Sequence, residues 1–155
     1  MTEQKKVASN KKTYEISAEL KELGEKVIDK QKIDVYPAKV EYLLVYPFIT
    51  KSCAGRCVRS GKELRFFSGF DYLIEMSGEL WDLLDADTRA ILMEHELKHI
   101  LCVMNEKKGE WDFKLRDHDV QDFASIIKKH GIDWISKVKL SVASLYELDE
   151  SDVKI

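Results

Sequence analysis

Apolar residues recur along this chain in two rhythms, and the switches between them divide it into elements. Ile16, Leu20, Leu23, Val27 and Ile28 fall at helical spacing with charged residues between them. That spacing puts side chains on one stripe, so residues 13–30 are predicted to form an amphipathic helix covering a core. Residues 40–49 are instead dense in Val, Tyr, Leu and Phe and sit near Pro37 and Pro47, which predicts a strand interrupted or ended near the second proline. Glycines 55 and 61 mark turns in the stretch that follows. Residues 70–77 alternate, with Phe70, Tyr72, Ile74 and Met76 on one face. This is a strand pattern, and Glu75 makes the opposite face partly wet. Lying just before a helix, such a strand could wall a cleft and pair with an extended peptide, or be a plain core strand, and the sequence does not separate the two.

After Gly78, residues 79–84 with Trp81 read as a short helical turn. Ile91, Leu92, His95, His99, Cys102 and Val103 then follow one stripe, which predicts a helix N-capped by Asp85 or Asp87 and stopped by Gly109. Residues 111–115 are short and alternating. Residues 116–123 open another helix, whose buried side is marked by Val120, Phe123, Ile127 and His130 and whose end is Gly131. Residues 134–148 fit both rhythms, and Ile135, Val138, Val142 and Leu145 favour a helix. No segment repeats.

A chain of 155 residues with 45% hydrophobic content holds one domain with a proper core. The polar, lysine-rich residues 1–11 are expected to be a disordered N-terminal segment, leaving 12–150 as the single domain. The net charge of −3 and pI near 5.9 give no general pull toward nucleic acid or anionic membrane. The lysine-rich start has no apolar run behind it, and no window reaches the apolar length of a membrane span. Three cysteines suit a reducing compartment better than a disulfide framework. A cytoplasmic protein is expected. Cys53 and Cys57 could be half of a zinc site, but no second Cys/His pair follows, and unpaired thiols fit better.

The candidate chemistry lies in Leu92-Met93-Glu94-His95-Glu96-Leu97-Lys98-His99, an H-E-x-x-H motif. Four residues is one helical turn, so His95 and His99 can converge on one ion while Glu96 stands beside it, placed to take a proton from a metal-activated water. Two histidines on an apolar stripe could also be ordinary packing residues. Their ring nitrogens would then need other partners, and a metal satisfies two at once. A catalytic zinc keeps three protein ligands. Downstream, Cys102 is better read as core, and Asp117-His118-Asp119 remain. His118 is the preferred third ligand and Asp119 the alternative. Whichever aspartate does not ligate can orient a ligating imidazole. His130, beside Gly131, reads as a C-terminal helix residue favoured by the dipole.

With Phe70 to Ser77, Trp81, His95-Glu96-Leu97-Lys98-His99, Arg116-x-His118-Asp119-Val120-x-Asp122-Phe123 and Gly131-Ile132-Asp133-Trp134 in hand, the chain resembles the putative phage metallopeptidase family. More distantly it is similar to SprT-like zinc proteases. The resemblance spans roughly residues 13–135. It implies a minimal zincin-like α+β fold, with a small, mostly antiparallel sheet packed on helices that include the metal helix. It also implies Zn2+ held by His95, His99 and His118, with Glu96 as general base for peptide hydrolysis. By the same token the protein would be phage-encoded, acting on a peptide or protein partner in a host cytoplasm. Tyr72, Arg116 and His130 are candidates to steady the developing oxyanion. The rival expectation is a binding module of the same fold that engages a host factor without general peptidase activity.

Overall fold

The structure, a computed structural model, describes residues 11–118, 124–131 and 133–155. Its first departure from the predicted pattern falls at Ser17. That residue has extended backbone, and its hydroxyl accepts from Leu20 N at 3.1 Å, capping a helix that starts one residue later. The predicted helix over 13–30 is therefore two elements, β1 (Thr13–Ile16) and α1 (Ala18–Gln31). Ile16, 71% exposed, belongs to the strand and not to the stripe, whereas Leu20 and Val27 are buried.

The chain continues through β2 (Val40–Tyr46), β3 (Gly55–Arg59), α2 (Lys62–Ser68), β4 (Tyr72–Ser77), α3 (Gly78–Leu83) and α4 (Ala86–Leu97). It then forms β5 (Ile100–Asn105), β6 (Glu110–Leu115), α5 (Ala124–His130) and α6 (Asp133–Tyr146). The architecture is α+β. One sheet has the order β1-β2-β4-β3, with β1–β2 and β3–β4 antiparallel and β2–β4 parallel, and β5 pairs with β6 as a separate antiparallel hairpin. Among the described residues, no helix is long and apolar enough to cross a membrane.

Tyr72, Ile74 and Met76 of β4 are fully buried, as are Leu92, Met93 and Leu97 of α4. Each such side chain contributes about 1.5–3 kcal/mol on leaving water. The helix α4 packs on α1 and β3, with α6 behind it. The motif that carries the chemistry is thus seated in the core.

Further expectations need correction. First, the stretch over 51–62 contains β3, a strand too short and too glycine-bounded to show a period. Second, Glu75 is buried at 6% exposure, because Arg56 pairs with its carboxylate from the neighbouring strand. Third, β4 lies between β2 and β3, so its backbone is already paired on both sides and cannot receive a peptide; the outermost strand beside α4 is β3.

Fourth, α4 does not run on to Gly109. Lys98 caps it with φ −70° and ψ −10°, and residues 100–105 leave as a strand, so Cys102 and Val103 lie on the hairpin. The β-prone run Ile100 to Met104 finds a partner strand in Glu110–Leu115, which satisfies its backbone better than a continued helix would. Gly109, at φ 66°, closes that hairpin instead of stopping a helix. Asp85 is the N-cap, accepting from Thr88 N at 2.8 Å.

Farther along, residues 116–118 precede α5 without helical structure. Val120, Phe123, Asp119 and the Ile127 side chain lie outside the described residues. His130 is partly exposed and not on a buried side. The ambiguous stretch 134–148 is helical as α6, with Trp134, Ile135, Val138 and Val142 buried. The three cysteines are free thiols.

Candidate metal centre

His95 is fully buried in the last turn of α4, and Glu96 beside it is 1% exposed. His99 lies just past the helix, where its N–H still donates to Glu96 O at 3.2 Å. That tightened turn keeps the two rings on one side, with centroids 5.4 Å apart. The hairpin then carries the chain out and back, so that residue 116 returns beside residue 99.

The return is held by reciprocal bonds. Arg116 N donates to His99 O at 2.7 Å, and His99 Nδ1 meets Arg116 O, also at 2.7 Å. A carbonyl can only accept, so Nδ1 carries the proton and His99 presents the lone pair of Nε2. His118, two residues after Arg116, meets that lone pair, with its Nε2 2.8 Å from His99 Nε2. Its ring centroid stands 4.6 Å from that of His95 and 4.5 Å from that of His99. One ring nitrogen from each of the three histidines lies within 4.8 Å of the others. The structure brings together all three sequence-predicted ligands, while Asp119 falls outside the described residues.

This donor set fits a divalent ion. Without one, the contact between His99 and His118 is an N–H···N bond donated by His118. His95, His99 and His118 would hold such an ion, each offering one ring nitrogen within 4.8 Å of the others. The His99 bond to the Arg116 carbonyl is the kind of outer support that fixes a ligating tautomer. Trp134 walls the cluster, its ring 5.4 Å from that of His95.

Glu96 flanks the imidazoles, with Oε1 3.9 Å from His99 Nε2. Its other oxygen reaches toward β3, where a Cβ added to Gly55 would stand 3.5 Å from Glu96 Oε2 and 2.7 Å from Met76 Sδ. Glycine at 55 is thus a close-approach residue. Two thiols share this neighbourhood. Burial first and the Glu96 charge second push Cys53 up to about 11, and the same two causes raise Cys57. Both are neutral at ordinary pH.

Two of the three oxyanion candidates lie elsewhere. The Tyr72 hydroxyl donates to Lys114 O at 2.7 Å inside the hairpin, and His130 Nε2 meets Glu94 Oε1 at 3.3 Å. Arg116 contributes through its main chain. Sequence reasoning missed that backbone role and Gly55, because neither belongs to a motif.

Two comparisons with known proteins find no match, since no curated protein and no solved structure resembles the chain closely enough. A family profile does match, over residues 12–146: its description is putative phage metallopeptidase.

Proposed function

From the premise that this chain belongs to the putative phage metallopeptidase family, we propose that it is a zinc-dependent peptidase in which His95, His99 and His118 hold the ion and Glu96 is the general base. The observation that carries this reading is the convergence of three imidazoles from two distant segments beside a buried carboxylate. When bound, zinc supplies a Lewis acid that polarises the scissile carbonyl and makes water a nucleophile near neutral pH.

The chain's own residues do the rest. Glu96, close beside His99, takes the proton from the attacking water and returns it to the leaving amine. The Arg116 carbonyl holds His99 in the ligating tautomer. Tyr72 anchors the hairpin that brings residues 116–118 back, through its bond to Lys114 O. The substrate backbone has a natural rail in β3. Because Ser77 N bonds Ala54 O at 3.0 Å and Ser60 N bonds Asp71 O at 2.9 Å, the pairs at Gly55, Cys57 and Arg59 are of the non-hydrogen-bonded kind. The Gly55 carbonyl accepts from Cys53 Sγ at 3.4 Å, and the N–H and C=O groups of Cys57 and Arg59 face away from β4. An extended peptide can add there, beside Glu96.

The test combines metal analysis with cleavage. Protein purified without added zinc should carry about one zinc per chain, His118→Ala should lose it, and zinc-loaded wild type should cut a mixed peptide pool that Glu96→Gln leaves intact. Zinc-free wild type, or undiminished cleavage by Glu96→Gln, would overturn the reading.

A further inference from the structure

Followed away from Glu96, the outer edge of β3 leads into a basic groove. Side chains alternate along a strand, so Gly55, Cys57 and Arg59 share one face, and Gly55 places that face against Glu96. Arg59 therefore lies on the Glu96 side of the sheet, about 13 Å farther along. There the β5–β6 hairpin closes on β3: Arg59 Nη1 donates to Phe113 O at 3.1 Å, and the Arg65 guanidinium lies 4.8 Å from the Phe113 ring centre.

The groove between them, about 290 Å³ in volume, is lined by Arg59, Lys62, Arg65, Lys108 and Lys114. Arg65 is already matched by Asp71 at 3.3 Å. Two carboxylates also line the groove, Glu110 and Asp112, and Asp112 accepts from the Asn105 amide at 3.3 Å. A chain of net charge −3 thus gathers an excess of positive charge at one end of its peptide rail.

We propose that this groove selects peptide substrates carrying acidic side chains about four residues from the scissile bond. The inference rests on the peptidase reading above and names its substrate class. Partly exposed pairs are individually weak, but several acting on one strand-bound segment add up, and the Phe113 ring and lysine stems give the carboxylates an apolar flank. A nucleic acid would answer the charge. It would not answer the outward backbone groups at Cys57 and Arg59, which match an extended peptide.

The experiment uses the full chain as Glu96→Gln, so that probes survive. Fluorescence anisotropy compares a fluorescein-labelled decapeptide of alternating glutamate and alanine, its glutamine counterpart, and a single-stranded deoxythymidine decamer. The glutamate peptide should bind about tenfold more tightly than the glutamine peptide, and the gap should shrink at high salt and vanish in K62E/K114E. Equal binding of the two peptides, a gap untouched by K62E/K114E, or tighter binding of the DNA overturns the proposal. Cleavage separates the two ideas. Zinc-loaded wild type that hydrolyses both peptides equally overturns acidic selection and leaves the peptidase reading standing. Acid-selective binding with no hydrolysis of any peptide overturns the peptidase reading and leaves acidic recognition standing.

Discussion

Glu94 and Glu96 are two residues apart on α4 and equally buried, at 1% exposure each, yet the two sides of the helix use them differently. A separation of two residues is about 200° around a helix. Glu94 therefore faces Lys129 at 2.8 Å, His130 at 3.3 Å and Lys98 at 3.9 Å, and Lys129 also reaches Gln31 of α1 at 2.6 Å. That carboxylate ties three helices together and has its charge compensated. Glu96 faces His99, the close-approach glycine of β3 and two neutral thiols. Burial alone does not make a carboxylate reactive; the charge of what it is buried among decides.

The comparison can be broken from either side. The largest expected effect is in Glu96→Gln, where hydrolysis should fall about 10²–10⁴-fold with zinc content unchanged and the urea midpoint nearly so. A comparable loss in Glu94→Gln at unchanged stability would erase the distinction.

Next comes thiol chemistry, which reports the Glu96 side alone. With Cys53 raised from 9.0 to about 11, thiolate at pH 8 is about a hundredfold scarcer than in the unfolded chain. Iodoacetamide should label Cys53 that much more slowly in the native state, as followed by mass spectrometry, and Glu96→Gln should recover part of the rate. Smaller again is the stability cost on the Glu94 side. Glu94→Gln should lower unfolding free energy by about 2 kcal/mol, because Lys129 and Lys98 keep some access to water after losing their carboxylate. Urea denaturation with zinc bound would measure it.

The smallest effect belongs to the start of α4. Lys137 first, then Thr88, hold Asp85 below the usual carboxylate range. Its folded value is depressed, so its contribution is complete above the unfolded value near 4 and is lost as pH falls below it. Melting temperature should decline less steeply with acid in Asp85→Asn than in wild type.

Several features were legible without coordinates. The alternation at Tyr72, Ile74 and Met76 was legible from local spacing, and Asp85 was one of the two caps it offered. The helix read over 13–30 is there from residue 18, while 134–148 fits both rhythms with a lean to helix. The missed elements lacked a local signal: α2 buries none of its side chains, and β3 is five residues opening on a glycine. The end of α4 was missed for the opposite reason. Cys102 and Val103 continue a helical stripe on paper, but only the hairpin partner at 110–115 shows that strand pairing wins there.

The sequence by itself determined that His95 and Glu96 are neighbours in one helical turn, because side-chain direction within a helix depends only on residue spacing. It also made His118 the preferred third ligand. His99 lies just past the helix, and the tightened turn at its end keeps that ring on the His95 side. Tertiary structure alone decided that residue 118 arrives beside residue 99, through the return of β6 and the Arg116 backbone, and that the edge strand beside α4 is β3. It likewise made Glu94 a clasp and Glu96 a candidate base. Those outcomes depend on which distant segments are buried together, and a local period carries no record of distant partners.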